Sequence, residues 1–291
     1  METGNALGGF LRARRERTRP EELGFRPRGQ RRTPGLRREE VALAAGISTD
    51  YYLRLEQGRD RTPSSQVLDA LATALRLDPD ETAYLHSLVH PPPRRPRGPR
   101  AERVPDGTRR LLRALPMPAF VQDRHMTVLA ANRMAEALSP NLAAGVNRLA
   151  AAFLDPRERE LYDDWERATA AAVAQLRAVA GPETDDPRLV ELVGELSVKS
   201  ARFCRLWARQ DVVRRTGRRV LLHHPEVGDL ELDRQKLVVT GTDDQVLVVY
   251  HAEPGTPSAQ ALDLLGSIAV SVTREAAAGP DPGRRDAATQ E

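Results

Sequence analysis

The chain has 291 residues, 40% of them hydrophobic and 29% charged, with a formal net charge of +3. That length suits two domains of ordinary size, and the composition suits a globular chain. No apolar run approaches 18 residues and no apolar core follows Met1. A membrane span and a secretory leader are therefore not expected, and a cytoplasmic location is. Cys204 is the single cysteine, which excludes a disulfide framework and a cysteine-built zinc site; it reads as a small buried filler within a helix.

Charge is spread unevenly. Residues 1–100 hold 19 Arg against 13 acids, whereas the remainder holds 25 Lys and Arg against 28 acids. The basic half is where an electrostatic footprint for nucleic acid would lie.

In chain order, Leu7 to Arg17 predicts a first helix with Leu7, Phe10 and Leu11 on one face. Thr18 to Gly35 is rich in Pro, Gly and Arg, and between Arg12 and Arg38 eleven Arg stand against three Glu. This basic loop, 18–35, is either a solvated charge run or an arm that contacts phosphates or a minor groove. The next stretch, Leu36 to Gly58 (LRREEVALAAGISTDYYLRLEQG), is the most informative. Val41, Ala42, Leu43 and Ala45 predict the buried side of one short helix, and Tyr52 and Leu55 that of another. Gly46 falls at the corner, where a left-handed residue is needed and glycine carries no Cβ to clash. Ser48 follows as the N-cap of the second helix. Two helices about a glycine-containing turn make a helix-turn-helix, whose second helix enters the major groove of DNA.

Further along, Thr62-Pro63-Ser64 caps a fourth helix bearing Val67, Leu68, Leu71, Ala72 and Leu75. Asp78 to Glu81 opens a fifth with Tyr84, Leu85 and Leu88, where His86 and His90 read as polar face residues. This domain is assigned to residues 1–90. Residues 91–106 are a Pro- and Arg-rich linker, extended by its prolines. Residues 107–270 predict a second domain, and 271–291 a disordered C-terminal tail.

Within the second domain, Pro118–Val121 and Met126–Leu129 predict two short strands around a turn, and Ala131–Leu138 a short helix. Asp155-Pro156-Arg157-Glu158 reads as a capping box with proline at the first helical position, starting a helix that runs to about Ala180. A helix after Asp186-Pro187 and another holding Phe203, Leu206 and Trp207, capped by Ser197, complete the helical middle. The period then becomes two: Val220 and Leu222, Leu230 and Leu232, Leu237–Val239, and Val246–Val249, the last two flanking a hairpin turn at Thr240–Asp244. Two strands first and three last, around a helical middle, describe an α+β PAS-like fold with one antiparallel sheet. The fold class is thus an all-α, five-helix helix-turn-helix domain followed by that PAS-like domain.

Two sets of residues carry a family resemblance. R-x-E-E-V-A-x-x-A-G-I-S followed by Y-x-x-R-L-E-Q-G-R, over Leu36 to Arg59, resembles the xenobiotic-response-element (XRE) type of DNA-binding domain, the class that includes phage repressors. P-x-P-A-F-V, N-R-M-A, D-W-E-R-A, S-x-x-F-x-x-L-W-A-R-Q-D-V and H-P-E-V-G-D-L-E-L, over residues 111–265, resemble the second domain of the MmyB-like regulators. The resemblance implies a bacterial transcription regulator whose partners are double-stranded DNA and a small hydrophobic, fatty-acid-like effector. A homodimer is expected, because one short helix reads too few bases.

Position on the second helix nominates Ser48, Thr49, Asp50, Tyr51 and Arg54 for the DNA contact, and Arg59 and Arg61 just beyond it for phosphates. Asp50 could accept from a cytosine amino group or help cap its own helix. Arg38 stands where members of this class often make a polar contact. Glu56 is expected to pair with an arginine inside the domain. Phe120, Leu129, Asn132, Trp165, Phe203, Trp207, His224 and Tyr250 are the candidate effector-binding residues, with ordinary core packing as the alternative for each aromatic. His223 and His224, adjacent on a strand, must point to opposite faces. No nucleophile elbow, P-loop, dinucleotide glycine set or zincin motif is present, so neither catalysis, a cofactor nor a metal is expected. The competing reading makes the second domain an interaction domain for a protein partner.

Overall fold

A computed structural model of the chain describes residues 5–25, 35–90, 103–180, 186–213, 218–242 and 244–278. The N-terminal part folds as α1 (Ala6–Arg17), α2 (Arg38–Ala44), α3 (Thr49–Glu56), α4 (Ser65–Ala74) and α5 (Pro79–Val89). Then come α6 (Asp106–Ala114), β1 (Ala119–Gln122), β2 (Val128–Ala131), α7 (Arg133–Leu138), α8 (Arg148–Leu154), α9 (Pro156–Leu161), α10 (Trp165–Ala180), α11 (Pro187–Lys199) and α12 (Ala201–Ala208). β3 (Arg218–His224), β4 (Gly228–Val238), β5 (Val246–His251) and α13 (Pro257–Ala278) close the chain. These elements divide into two compact units. The first spans 1–101, 152–154 and 166–215; the second spans 102–151, 155–165 and 216–291. Most of the basic loop (26–34), most of the linker (91–102) and the tail from 279 lie outside the described residues.

In the first unit, α1 to α5 start where their side chains can take the orphan N–H groups of a first turn. The Ser48 hydroxyl accepts from the Tyr51 N–H, the Ser64 hydroxyl from Val67, and Asp78 with Glu81 forms a reciprocal capping box. Gly46 has φ +67°, the left-handed corner its position requires. Phe10, Leu11, Leu36, Val41, Tyr52, Leu55, Leu68, Leu71 and Leu85 are wholly buried. Leu43, expected inside with Val41 and Ala42, is 72% exposed. Val41, Ala42 and Ala45 already fill the inner side of this two-turn helix, and position 43 falls on the opposite side at about 100° per residue.

Gly8 explains how closely α1 approaches the end of α3. A Cβ built there would stand 2.1 Å from the Glu56 carbonyl oxygen, which also accepts from the Asn5 side-chain amide at 2.7 Å. Gly8→Ala is expected to cost about 1–3 kcal/mol, as forced overpacking does, and urea unfolding measures it. An unchanged midpoint would show that the two helices part freely.

The second unit is built on one five-stranded antiparallel sheet, in the order β2-β1-β5-β4-β3. β4 serves two partners: Gly228 to Arg234 pair with β3, and Asp233 to Val238 pair with β5. One face of the sheet buries Phe120, Leu222, Leu230, Leu232, Val248 and Tyr250 against Leu138, Leu161, Leu262 and Leu265 of α7, α9 and α13. The other buries Val121, Ala130, Leu247 and Val249 against Leu112 of α6 and Val104 just ahead of that helix.

Several local expectations are corrected here. The helix expected from Pro156 to Ala180 is two helices, because Tyr162 leaves the helical path to bridge Leu222, and the Asp163 N–H donates to the Leu221 carbonyl. Asp155 caps α9 by accepting from the Arg157 N–H, but Glu158 does not close a box; buried, it accepts the Ser139 hydroxyl. Ser200, not Ser197, caps α12, accepting from the Phe203 N–H; Ser197 lies inside α11. Cys204 is exposed rather than buried, on the side of α12 opposite Phe203 and Leu206. α6, α8 and α13 were not predicted. Among the described residues no helix is long and apolar enough to cross a membrane.

Candidate nucleic-acid interface and ligand site

The N-terminal half of α3 is open. Ser48, Thr49, Asp50 and Arg54 are exposed and Tyr51 is half-buried, while Tyr52 and Leu55 on the same two turns are wholly buried. The Arg54 guanidinium lies 5.7 Å from the Tyr51 ring centroid, which holds the long side chain along the outer surface. Ser48 is committed to the cap. Asp50 occupies the first turn, where a carboxylate also suits the helix dipole. Arg59 and Arg61 are exposed just past the helix, and Arg61 Nε donates to the Gly58 carbonyl at 3.0 Å.

This rod is anchored from within. Glu56 ends α3 with its side chain 3% exposed, accepting from Arg15 Nε on α1 at 2.6 Å and from Arg38 Nε on α2 at 2.7 Å. Arg15 Nη1 also donates to the Leu36 carbonyl at 3.1 Å. Burial alone would raise the Glu56 carboxyl, but the two arginines outweigh it and hold the group below its ordinary 4.5. One carboxylate thus ties three helices together, as the inward arginine pairing expected of Glu56 requires. Arg38 spends its Nε on that bond, with nearly half its side chain still exposed.

The eight candidate effector residues scatter. Phe120 and Tyr250 come together on the core face of the sheet, ring centroids 6.4 Å apart. His224 is buried at the end of β3, its Nε2–H donating to the Ala137 carbonyl at 3.0 Å while Nδ1 accepts from the Glu226 N–H. It lines a groove of about 770 Å³ with Leu138, Leu161 and Ile268. His223, pointing the other way, is exposed between Asp163 and Asp229. Both carboxylates, through hydrogen bonds, hold its imidazole above 6.5.

The remaining five lie elsewhere. Leu129 packs with the opposite face of the sheet. Asn132 is consumed by backbone: its amide donates to the carbonyls of Leu112, Leu115 and Met117, and its oxygen accepts from the N–H groups of Ala119 and Ala135. Trp165 is half-buried under the Arg159 guanidinium. Phe203 and Trp207 stack at 5.8 Å in the first unit, with Phe153 edge-on to Phe203 at 5.4 Å.

Sequence reading missed the polar group beside Phe120 and Tyr250. Arg148, from α8, lays its guanidinium 4.7 Å from the Phe120 ring centroid. Its Nη1 donates to Gln122 Oε1 at 3.0 Å and its Nη2 lies 3.4 Å from the Tyr250 hydroxyl. The signal was present in β4, where the inward alternation Leu230, Leu232 continues as Arg234, Lys236. Among the described residues no group of three or more His, Cys, Asp or Glu side chains could hold a metal ion.

Comparison with protein-family models matches residues 104–265 to the MmyB-like transcription regulator ligand binding domain and residues 6–85 to a helix-turn-helix domain. Comparison with curated proteins found no significant match.

Proposed function

The chain belongs to the MmyB-like transcription regulators, and on that premise we propose that it binds operator DNA as a homodimer and releases or grips it according to a fatty-acid-like effector. A helix-turn-helix DNA-binding domain precedes a ligand-binding domain. The observation that carries the proposal is the exposed N-terminal half of α3 on a rigid, ion-paired base. Thr49, Asp50, Tyr51 and Arg54 would read base edges, with Arg38, Arg59 and Arg61 and the Ser48 end of the helix on phosphates. Two copies would span half-sites about 34 Å apart, one turn of the duplex.

For the effector, the groove of about 770 Å³ beside His224 is large enough to admit an alkyl chain. Support for coupling comes from the first unit, where helices of the matched ligand-binding region share a core with the DNA-binding helices. Ala178 and Val212 are buried in the cluster that holds Phe10, Leu11 and Tyr84. Arg14 of α1 ion-pairs with Glu81 at 2.6 Å and donates to the Gln210 carbonyl at 2.6 Å. Arg177 of α10 donates to the Trp207 carbonyl at 2.6 Å, its guanidinium 3.9 Å from the Trp207 ring centroid. An effector alters DNA affinity only through its preference for one arrangement over another; a tenfold change requires about 1.4 kcal/mol of differential binding.

The experiment is native mass spectrometry of the purified chain, followed by duplex titration with and without hexadecanoate. A co-purifying lipid-sized ligand, and a DNA affinity that moves with hexadecanoate, are expected; an empty protein whose DNA affinity ignores it contradicts the proposal. In the same titration, Arg177→Met is expected to bind duplex while losing most of the response. A full response in that variant would remove Arg177 from the coupling.

A further inference from the structure

Charge along the chain changes sign after α6. From Arg94 to Arg113 eight arginines stand against two acids, whereas residues 114–291 hold 21 Lys and Arg against 26 acids. The end of this basic stretch is fixed on the second sheet face. Val104 and Leu112 are buried there. The Gln245 amide donates to the Arg103 carbonyl at 3.4 Å, and Arg109 Nε donates to the Val104 carbonyl at 3.3 Å. Arg103, Arg110 and Arg113 are exposed on this base. Arg110 and Arg113, three positions apart on α6, share one side of it.

These three cations have no counter-charge within the chain. Among the described residues none of them enters an ion pair, and Asp106 in the first turn is the one carboxylate on the helix. Exposed arginines elsewhere in the same unit are matched: Arg157 with Asp155 at 2.9 Å, and Arg219 with Glu231 at 2.7 Å. An apolar partner does not suit the face. Leu112 of α6 is spent on the sheet, and Leu111 is the one large apolar side chain that the helix exposes. A helix lying in a lipid interface needs a whole apolar face for the acyl boundary. What α6 offers is a cationic surface on a rigid base, the complement of a polyanion.

We propose that Arg103, Arg110 and Arg113 form a second duplex-binding surface, on the ligand-binding unit, that takes up phosphates of the DNA flanking the site read by α3. The assignment rests on the DNA-binding reading above and adds to it a grip by the other unit. Chain length allows it: the fifteen residues between His90 and Asp106 can span at most about 50 Å, about one and a half turns of duplex. Guanidinium groups match phosphate oxygens with paired N–H donors. Such contacts carry no sequence information, so this surface adds affinity and salt dependence and leaves the choice of operator to α3. It also gives the unit that holds the effector groove its own contact with DNA.

The test is titration of a random-sequence duplex of about four turns with the full-length chain at several salt concentrations. Arg110→Gln with Arg113→Gln is compared with Arg159→Gln with Arg219→Gln, an equal loss of charge at exposed positions elsewhere in the same unit. The α6 pair is expected to lower the salt slope by about 2, at roughly 0.9 per lost phosphate contact, and to weaken binding about tenfold or more near 0.1 M salt. Preference for a selected operator over random duplex should be unchanged in it, and the control pair should keep the native slope. A native slope in the α6 pair, or an equal drop in the control pair, overturns the second surface and leaves the reading of α3 standing. Weaker binding of the α6 pair to phosphatidylglycerol vesicles, with the duplex slope unchanged, assigns the face to a membrane and overturns it as well. A native chain that binds no duplex overturns both.

Discussion

Alanine at Arg54 and Thr49 together is expected to abolish sequence preference while sparing general affinity for duplex. Both side chains are exposed on the open half of α3, and neither helps hold the domain together: the cap belongs to Ser48 and the inner ion pairs to Glu56. A good bidentate base contact discriminates by about 1–3 kcal/mol, or about 5- to 150-fold. Phosphate neutralisation by the arginines around the helix is indifferent to sequence and remains. The double variant should therefore bind a selected operator little better than random duplex, with the random-duplex affinity and its salt slope nearly unchanged. Equal loss on both DNAs would mean that these residues touch only the backbone. An unfolding midpoint close to that of the native chain should accompany the change, since surface substitutions of this kind usually move stability by less than about 0.5 kcal/mol.

Glu56→Ala is expected to have the opposite character. Removing this carboxylate strands the Arg15 guanidinium, whose side chain is 8% exposed, and releases α1 and α2 from α3. Breaking a buried pair by deleting one partner costs about 3–5 kcal/mol, a large part of the roughly 5–15 kcal/mol that holds an ordinary domain. Denaturant unfolding measures the loss, and DNA binding should fall for specific and random duplex alike because the rod itself is no longer held. The pH dependence has a definite sign. Glu56 is held below its ordinary 4.5 in the folded state, so the unfolded chain takes up the proton first. The stabilisation is fully present above 4.5 and drains away as pH falls through the lower folded value. Glu56→Ala should flatten that part of the acid unfolding curve. A native midpoint in the variant would contradict the structural role.

The two halves of the chain were legible to different degrees, for physical reasons. The helix-turn-helix declared itself because each device is local: Gly46 at positive φ, Ser48 three residues before the N–H it caps, and Tyr52 and Leu55 one turn apart. The strand pattern also read through, since β3 and β4 alternate along their own length and β5 is a short apolar run buried on both faces. Signals that depend on a distant partner did not. Nothing near Tyr162 announces that its backbone will bridge Leu222 and end a helix, or that Glu158 will turn from its expected cap to Ser139. The aromatics do not converge on one place, because Phe203 and Trp207 stack on each other in one unit while Phe120 and Tyr250 meet in the other. The cations beside Phe120 were overlooked, since charge on a strand is ordinarily read as its solvated side. The alternation of β4 puts Arg234 and Lys236 in line with Leu230 and Leu232, and the register with β5 sets them opposite Tyr250 and Val248.

Selection of duplexes from a random pool by the purified chain bears most directly on the claim that α3 is a reading helix. Enrichment of a two-fold symmetric sequence with half-sites about one helical turn apart is expected, and its loss when Thr49 and Arg54 are alanine. A pool that stays random over successive rounds, or the same sequence emerging from the double variant, would contradict it.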